Sequence, residues 1–270
     1  MIAGKTWREV RVMAFVYLLI LELLAVPVIL LWPDIYGDLQ RSTLFRSMGM
    51  DWLKRLGESV SSKDSDAAYI SWAAVMLFMR STNLAGIAAS VLLGTALFAR
   101  EREAQTFEFL LARPVSRGRI LWEKSWPCAL CVTVPIFVVN ASAIGWSRVI
   151  EYDLPKWEMF LASVHAATFV LCFLAFTTWV SVLSRVQAHV AFWVGGITIV
   201  QIGVYLTQRI RPYSLFRLAD FDWYGPVLSG NTPAWQMFDP VRSHGFTTYL
   251  LAATALFYGL AWRALRKTDL

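Results

Sequence analysis

The sequence predicts an all-α polytopic membrane protein: a single transmembrane domain, residues 1–270, with six transmembrane helices and both termini cytoplasmic. Three observations predict it. Hydrophobic residues make up 57% of the 270 and charged residues only 16%, whereas a soluble domain carries about a quarter charged residues. Mean hydropathy is +0.51. Six stretches stay apolar for about 18 residues or more, the length a helix needs to cross a hydrocarbon core about 30 Å thick. They run roughly over 12–32, 71–98, 126–146, 159–183, 190–207 and 245–262.

Ahead of the first stretch, Thr6-Trp7-Arg8-Glu9 matches a capping box, in which Thr6 and Glu9 satisfy free amides at a helix start. Two readings stay open there: a helix lying along the membrane surface, or a first span that extends inward by two turns. The run over 12–32 is long enough to span and is followed by Trp32-Pro33-Asp34, with no small-residue cleavage site. It therefore reads as a span and not as a removable signal. Glu22 lies near its middle, where a charge costs roughly 2.5–3.5 kcal/mol on insertion scales. It should be protonated, paired or turned inward, and it is a candidate for a substrate pathway.

The segment 33–70 places Leu39, Leu44, Phe45, Trp52, Leu53 and Leu56 at helical spacing and reads as one or two short surface helices. In the second span Arg80 sits some eighteen residues from Phe98, about 27 Å at about 1.5 Å per residue. That is too far up to meet Glu22 comfortably, so Arg80 is expected to snorkel at the outer interface. Gly86, Ser90 and Gly94 recur every four residues, a stripe that lets another helix approach closely. Packing within the chain is the plainer reading, a dimer contact the other.

The third stretch opens with Cys128-x-x-Cys131, without the second His or Cys pair that a metal site would need; packing is expected, and no metal. His165 and Asn140 are single polar groups in spans, suited to bonds between helices. The segment 208–244 carries four prolines and the turn Ser229-Gly230-Asn231, which suits a broken, partly re-entrant or interfacial element. Trp32, Trp72, Trp126, Trp146, Trp157, Trp193 and Trp262 fall near predicted segment ends, as in an interfacial belt.

Orientation follows from the cations. With the N-terminus inside, the inner segments hold Lys5, Arg8, Arg11, the run from Arg100 to Lys124, Arg185, Arg263, Arg266 and Lys267. They are about twice as densely basic as the outer ones, the bias of the positive-inside rule. The net charge of +6 is this bias, and nucleic acid is not needed to explain it.

The most charged inner run is REREAQTFEFLLARPVSRGRILWEK, residues 100–124. Ala104 to Ala112 are good helix formers, with Phe107, Leu110 and Leu111 on one face. Pro114 ends that helix, because a residue before proline is pushed out of the helical region. Ser116 can then cap a second helix through Arg119 and Lys124. The product is a short helix held along the membrane, read either as a sealing connector or as a part shaped to be gripped.

This run resembles the inner loop of the type-2 family of ATP-binding-cassette exporter permeases. The likeness rests on Glu101, Glu103, Thr106, Leu110, Leu111, Pro114, Val115, Ser116, Arg117, Ile120 and Lys124. It departs at Gln105, where the family has glycine, so the turn before the helix is expected to become continuous helix here. The resemblance implies that Glu101, Glu103, Thr106, Phe107, Leu110, Leu111, Pro114, Ser116, Arg117 and Lys124 form a coupling loop that docks on a separate ATPase, with Arg185 as a second contact. It implies two ATPase copies carrying ATP and Mg, a second permease copy and a lipid surroundings in the cytoplasmic membrane. The chain has no G-x-x-x-x-G-K-[S/T] phosphate loop, so it binds no cofactor of its own and is not an enzyme. A permease-like subunit that passes ATPase motion to an outer-face partner is the alternative, kept open by 33–70 and 208–244. An intramembrane enzyme is a remote one, since Glu22, Arg80 and His165 form no acid–base constellation.

Overall fold

The computed structural model describes residues 2–41, 57–58, 64–107, 109, 115–241 and 245–267; among these the chain is helical, with no strand. The helices are α1 (Ile2–Leu30), α2 (Trp32–Arg41), α3 (Ser65–Ala73), a π-helical stretch (Ala74–Asn83), α4 (Leu84–Glu103), α5 (Arg117–Val149), α6 (Lys156–Leu183), α7 (Gln187–Leu206), α8 (Phe221–Leu228) and α9 (Phe246–Arg266).

Five helical segments are long and apolar enough to cross a membrane: Gly4–Leu30, Ser65–Glu103, Arg117–Val149, Lys156–Leu183 and Gln187–Leu206. Each begins ahead of one of the first five predicted stretches and ends within five residues of it, because polar residues at span ends continue a helix that is already nucleated. The sixth stretch is also a helix, α9, of 21 residues. Thr247, Thr248, Tyr249, Thr254 and Tyr258 keep it less apolar than the other five.

The bundle is built around α6, which packs on α4, α5 and α9, while α1 lies along α5. Burial follows this order. The apolar window of α6 is 72% buried, that of α1 22% and that of α7 11%. Leu19 and Leu23 of α1 and Phe192, Ile199 and Val200 of α7 stay exposed. Such faces suit lipid or a second chain and not water.

The small-residue stripe packs within the chain, on α6. A Cβ added at Gly94 would lie 2.6 Å from Thr177 Cγ2, and one at Gly86 would run into Val170 Cγ2. Ser90 Oγ donates to the Val170 carbonyl at 3.0 Å. Polar groups in the spans are likewise used between helices. Asn140 Nδ2 donates to Ser163 Oγ at 2.9 Å. His165 bridges Thr247 of α9 (2.8 Å, Nδ1) and the Leu218 carbonyl (2.6 Å, Nε2); a carbonyl only accepts, so Nε2 carries a proton.

At one end of the bundle 208–241 folds as a broken cap of 3-10 turns and α8, burying Trp223, Tyr224, Val227, Leu228 and Met237. The π-helical stretch meets this cap. Tyr224 stacks on Phe78 with centroids 4.9 Å apart, and Asn83 Nδ2 donates to the Ala219 carbonyl and to the Tyr224 hydroxyl. Ser81 and Thr82 donate to the carbonyls of Met76 and Leu77, five residues back, in keeping with the wider π register.

Two expectations are corrected here. Thr6 is no helix start: α1 begins at Ile2 and runs through Thr6, which is buried. The helix of the first span therefore continues back through residues 2–11. Trp32 and Trp72 do not belong to an interfacial belt. Both are buried, Trp32 completely, in an aromatic cluster with Tyr36, Tyr69 and Tyr152, because the chain turns from α1 into α2 at this point. Of the surface helices expected over 33–70, α2 is described, and residues 42–56 and 59–63 lie outside the described residues.

Candidate functional site

Lys5, Arg102, Lys124, Arg185, Arg263 and Lys267 come together at the end of the bundle away from the cap. Their centre is the passage from α4 to α5. Glu101 to Glu103 complete the last turn of α4, and the chain then reverses in a specific way. The Thr106 amide donates to the Glu101 carbonyl at 2.8 Å and the Gln105 amide to the Arg102 carbonyl at 3.1 Å. These are the paired bonds of a Schellman C-cap, with Gln105 at the position that must be left-handed. Its φ is +55°. The expected continuous helix is thus overturned. The tight turn is kept with glutamine in place of glycine, at a cost of about 1–2 kcal/mol for a side chain in this region.

Thr106 strengthens the turn, its hydroxyl donating to the same Glu101 carbonyl at 3.2 Å. Phe107 then folds back, buried, edge-on to Phe98 with centroids 6.4 Å apart, under the Arg102 guanidinium at 4.6 Å. Phe109 points outward and is 76% exposed. Leu110, Leu111 and Pro114 lie outside the described residues. On the far side Ser116 caps α5, accepting from the Arg119 amide at 3.3 Å, as its position ahead of a helical run predicts. Arg117 opens α5, half-buried. Arg119 pairs with Glu123 one turn on, at 2.7 Å.

Lys124 closes the structure. Its ammonium is buried, 2.7 Å from Glu101 Oε1 and 2.6 Å from the Leu97 carbonyl, with the Phe98 ring 5.2 Å away. The two ends of the loop are therefore bolted together, so displacement of the loop must carry α4 and α5 along.

The turn between α6 and α7 is tied to the same assembly. Glu103 Oε2 accepts from the Gln187 amide at the start of α7 at 3.2 Å, where an anion is favoured by the helix dipole. Arg102 donates to the Ser184 carbonyl at 3.4 Å. Arg185, the predicted second contact, sits exposed beside them. Sequence reasoning missed Ser181. Its hydroxyl accepts from the amides of Phe98 and Ala99 at 3.2 and 3.0 Å and donates to the Thr95 carbonyl. A side chain inserted into a helix ladder is a recognised bending point, and this one lies one turn before the loop. A serine among apolar residues was the only signal for it.

The intramembrane candidates stand apart from this site and from one another. Glu22 accepts from Ser142 Oγ of α5 at 2.8 Å. Arg80 is exposed and contacts Met76 Sδ at 3.9 Å. The two are not partners. Cys128, Cys131 and Cys172 are free thiols, and among the described residues no group of three or more His, Cys, Asp or Glu could hold a metal ion.

A family model described as "ABC-2 family transporter protein" matches residues 5–208, from the start of α1 to the end of α7. Among curated proteins none matches the chain.

Proposed function

The chain belongs to the ABC-2 family of transporter proteins, and from that premise we propose that it is the permease subunit of an ATP-driven exporter in the cytoplasmic membrane. Residues 100–124 form its coupling loop, with both termini on the cytoplasmic side and α9 as a sixth span. Energy comes from two copies of a separate ATPase carrying ATP and Mg, working on a pair of permeases. The single observation that carries this reading is the bolted passage from α4 to α5. A Schellman turn on one side, a Ser116 cap on the other and the buried Lys124–Glu101 pair anchor both roots of the segment, so that it acts as a lever on them. The links Glu103–Gln187 and Arg102–Ser184 extend it to α7. Force applied to the loop reaches three helices, the requirement for rigid-body switching of a bundle.

Phe109 offers the cleanest test, because it is exposed and its loss leaves the internal bonds intact. Phe109→Asp should abolish capture of the partner ATPase, with the thermal unfolding temperature unchanged. A cysteine at position 109 should react with an impermeant maleimide only after the cells are opened. Retained capture by Phe109→Asp, or labelling in intact cells, would count against the lever.

The ordered cap over 211–238, with Tyr224 seated on the π-helical stretch, supports a second reading, a subunit that hands ATPase-driven motion to a partner on the cap side. Replacing the exposed cap residues Tyr213 and Trp235 with alanine should then spare ATPase capture and abolish the partner-dependent activity alone.

A further inference from the structure

Three separate pieces of chain close around an open cleft of about 1220 Å³ at the basic end of the bundle. The turn after α4 contributes Arg102 and Phe107, the end of α6 Leu183 and Arg185, and the end of α9 Arg263 and Lys267. Four cations thus face one concavity, and no carboxylate lies among the described residues that line it. Of the described acids in the adjoining turn, Glu101 is bonded to Lys124 and Glu103 to the Gln187 amide. Arg102 and Arg185 are close enough for their like charges to repel, although Arg102 also bonds the Ser184 carbonyl. Positive-inside bias explains cations at this end. It does not explain why they converge from three segments, nor why the wall between them is apolar. That wall, through Leu183 and Leu260, runs out onto the apolar flank of the bundle.

We propose that this cleft binds the phosphate of an anionic phospholipid, whose acyl chains run out along Leu183 and Leu260. A guanidinium offers a planar fork to a phosphate, and cations at a membrane surface each contribute about 1 kcal/mol toward anionic lipid. An inorganic anion would use the cations and leave the apolar wall bare; a lipid uses both. The bound headgroup ties Arg102, at the root of the loop, to the ends of α6 and α9, so anionic lipid stiffens the lever from the side. The binding does not depend on whether the loop docks an ATPase.

Native mass spectrometry of the detergent-purified chain, given equal phosphatidylglycerol and phosphatidylcholine, tests this directly. One phosphatidylglycerol should be retained per chain at least about tenfold in preference to phosphatidylcholine. Arg185→Gln, Arg263→Gln and Lys267→Gln should each weaken retention about fivefold, the factor that about 1 kcal/mol represents. Arg185→Lys should keep most of it. These side chains are exposed, so the fold should survive, and an unchanged unfolding temperature checks that it does. Arg266→Gln is the control, since Arg266 stacks on Trp262 (4.9 Å) and does not line the cleft. Equal loss in Arg266→Gln would reduce the effect to net charge and overturn the site. Displacement of the lipid by millimolar inorganic phosphate would show a free-anion site instead. Loss of ATPase capture in detergent with lipid retention intact would show a protein-docking surface. Either result overturns the proposal.

Discussion

Lys124, in the second turn of α5, lies 2.7 Å from Glu101 Oε1 in the last turn of α4, and its own side chain is almost wholly withdrawn from the surface. Two charges this deep are retained only when each satisfies the other. Lys124 has the Leu97 carbonyl as a second acceptor, whereas Glu101 Oε2 is buried with no other partner. Lys124→Met should therefore strand a buried carboxylate and destabilise the chain by about 3–5 kcal/mol. The double change Lys124→Met with Glu101→Gln should recover a large part of the loss. Unfolding in detergent, followed by intrinsic tryptophan fluorescence, measures both. A double variant no more stable than the single would mean that the pair is not what joins the two helices.

Gln105 makes a prediction of opposite sign. A left-handed φ of +55° strains glutamine and suits glycine. Gln105→Gly should stabilise the loop by up to about 1 kcal/mol, and Gln105→Val should destabilise it, since a β-branched residue fits that region worst. Limited proteolysis across 104–116 is the readout. The glycine variant should be cut more slowly and the valine variant faster, and the reverse order would rule out the Schellman turn.

The contrast between Gln105 and Ser116 shows what the sequence could tell. Ser116 was readable because a cap is local: a serine ahead of a helical run satisfies amides within three residues of itself. The turn at Gln105 was misread because nothing in a glutamine announces positive φ; there the two backbone bonds outweigh the residue's own preference. The five apolar spans were legible because length and hydropathy alone decide them. The burial of Trp32 was not, since indoles near span ends look alike until the packing of α1 against the later helices is known. Lys124 stood out only by resemblance. Its partnership with Glu101 depends on how α4 and α5 come together, a distance that no local pattern encodes. Ser181 and Gln187 were invisible for the same reason.

Close packing of α4 on α6 can be tested at two glycines that differ only in what surrounds them. A Cβ at Gly94 would fall 2.6 Å from Thr177 Cγ2 and 2.7 Å from Thr177 Cβ, whereas one at Gly195 of α7 meets nothing within 4 Å. Gly94→Ala should force the helices apart and cost about 1–3 kcal/mol, the usual range for an overpacked core. Gly195→Ala should be neutral or slightly stabilising, since alanine is the better helix former. Equal melting temperatures for the two variants would show that α4 and α6 are not in contact along this stripe.

Glu22 and Arg80 provide a test by exchange. Glu22 takes a hydrogen bond from Ser142 of α5 at 2.8 Å, while Arg80 is exposed and lies beside Met76. Were the two residues an ion pair, Glu22→Arg with Arg80→Glu would restore what either change alone destroys. The structure separates them, so the double exchange should be no better than Glu22→Arg alone. That single change sets a cation beside a serine in the middle of an apolar helix, where its insertion costs roughly 2.5–3.5 kcal/mol. Glu22→Gln should be mild, because the amide oxygen still accepts from Ser142. Glu22→Leu combined with Ser142→Ala should be tolerated as well, since removing both members of a polar pair leaves nothing unsatisfied. Expression level and monodispersity on gel filtration rank the variants. Recovery in the double exchange would place Arg80 against Glu22 and require α1 and the π-helical stretch to be repacked.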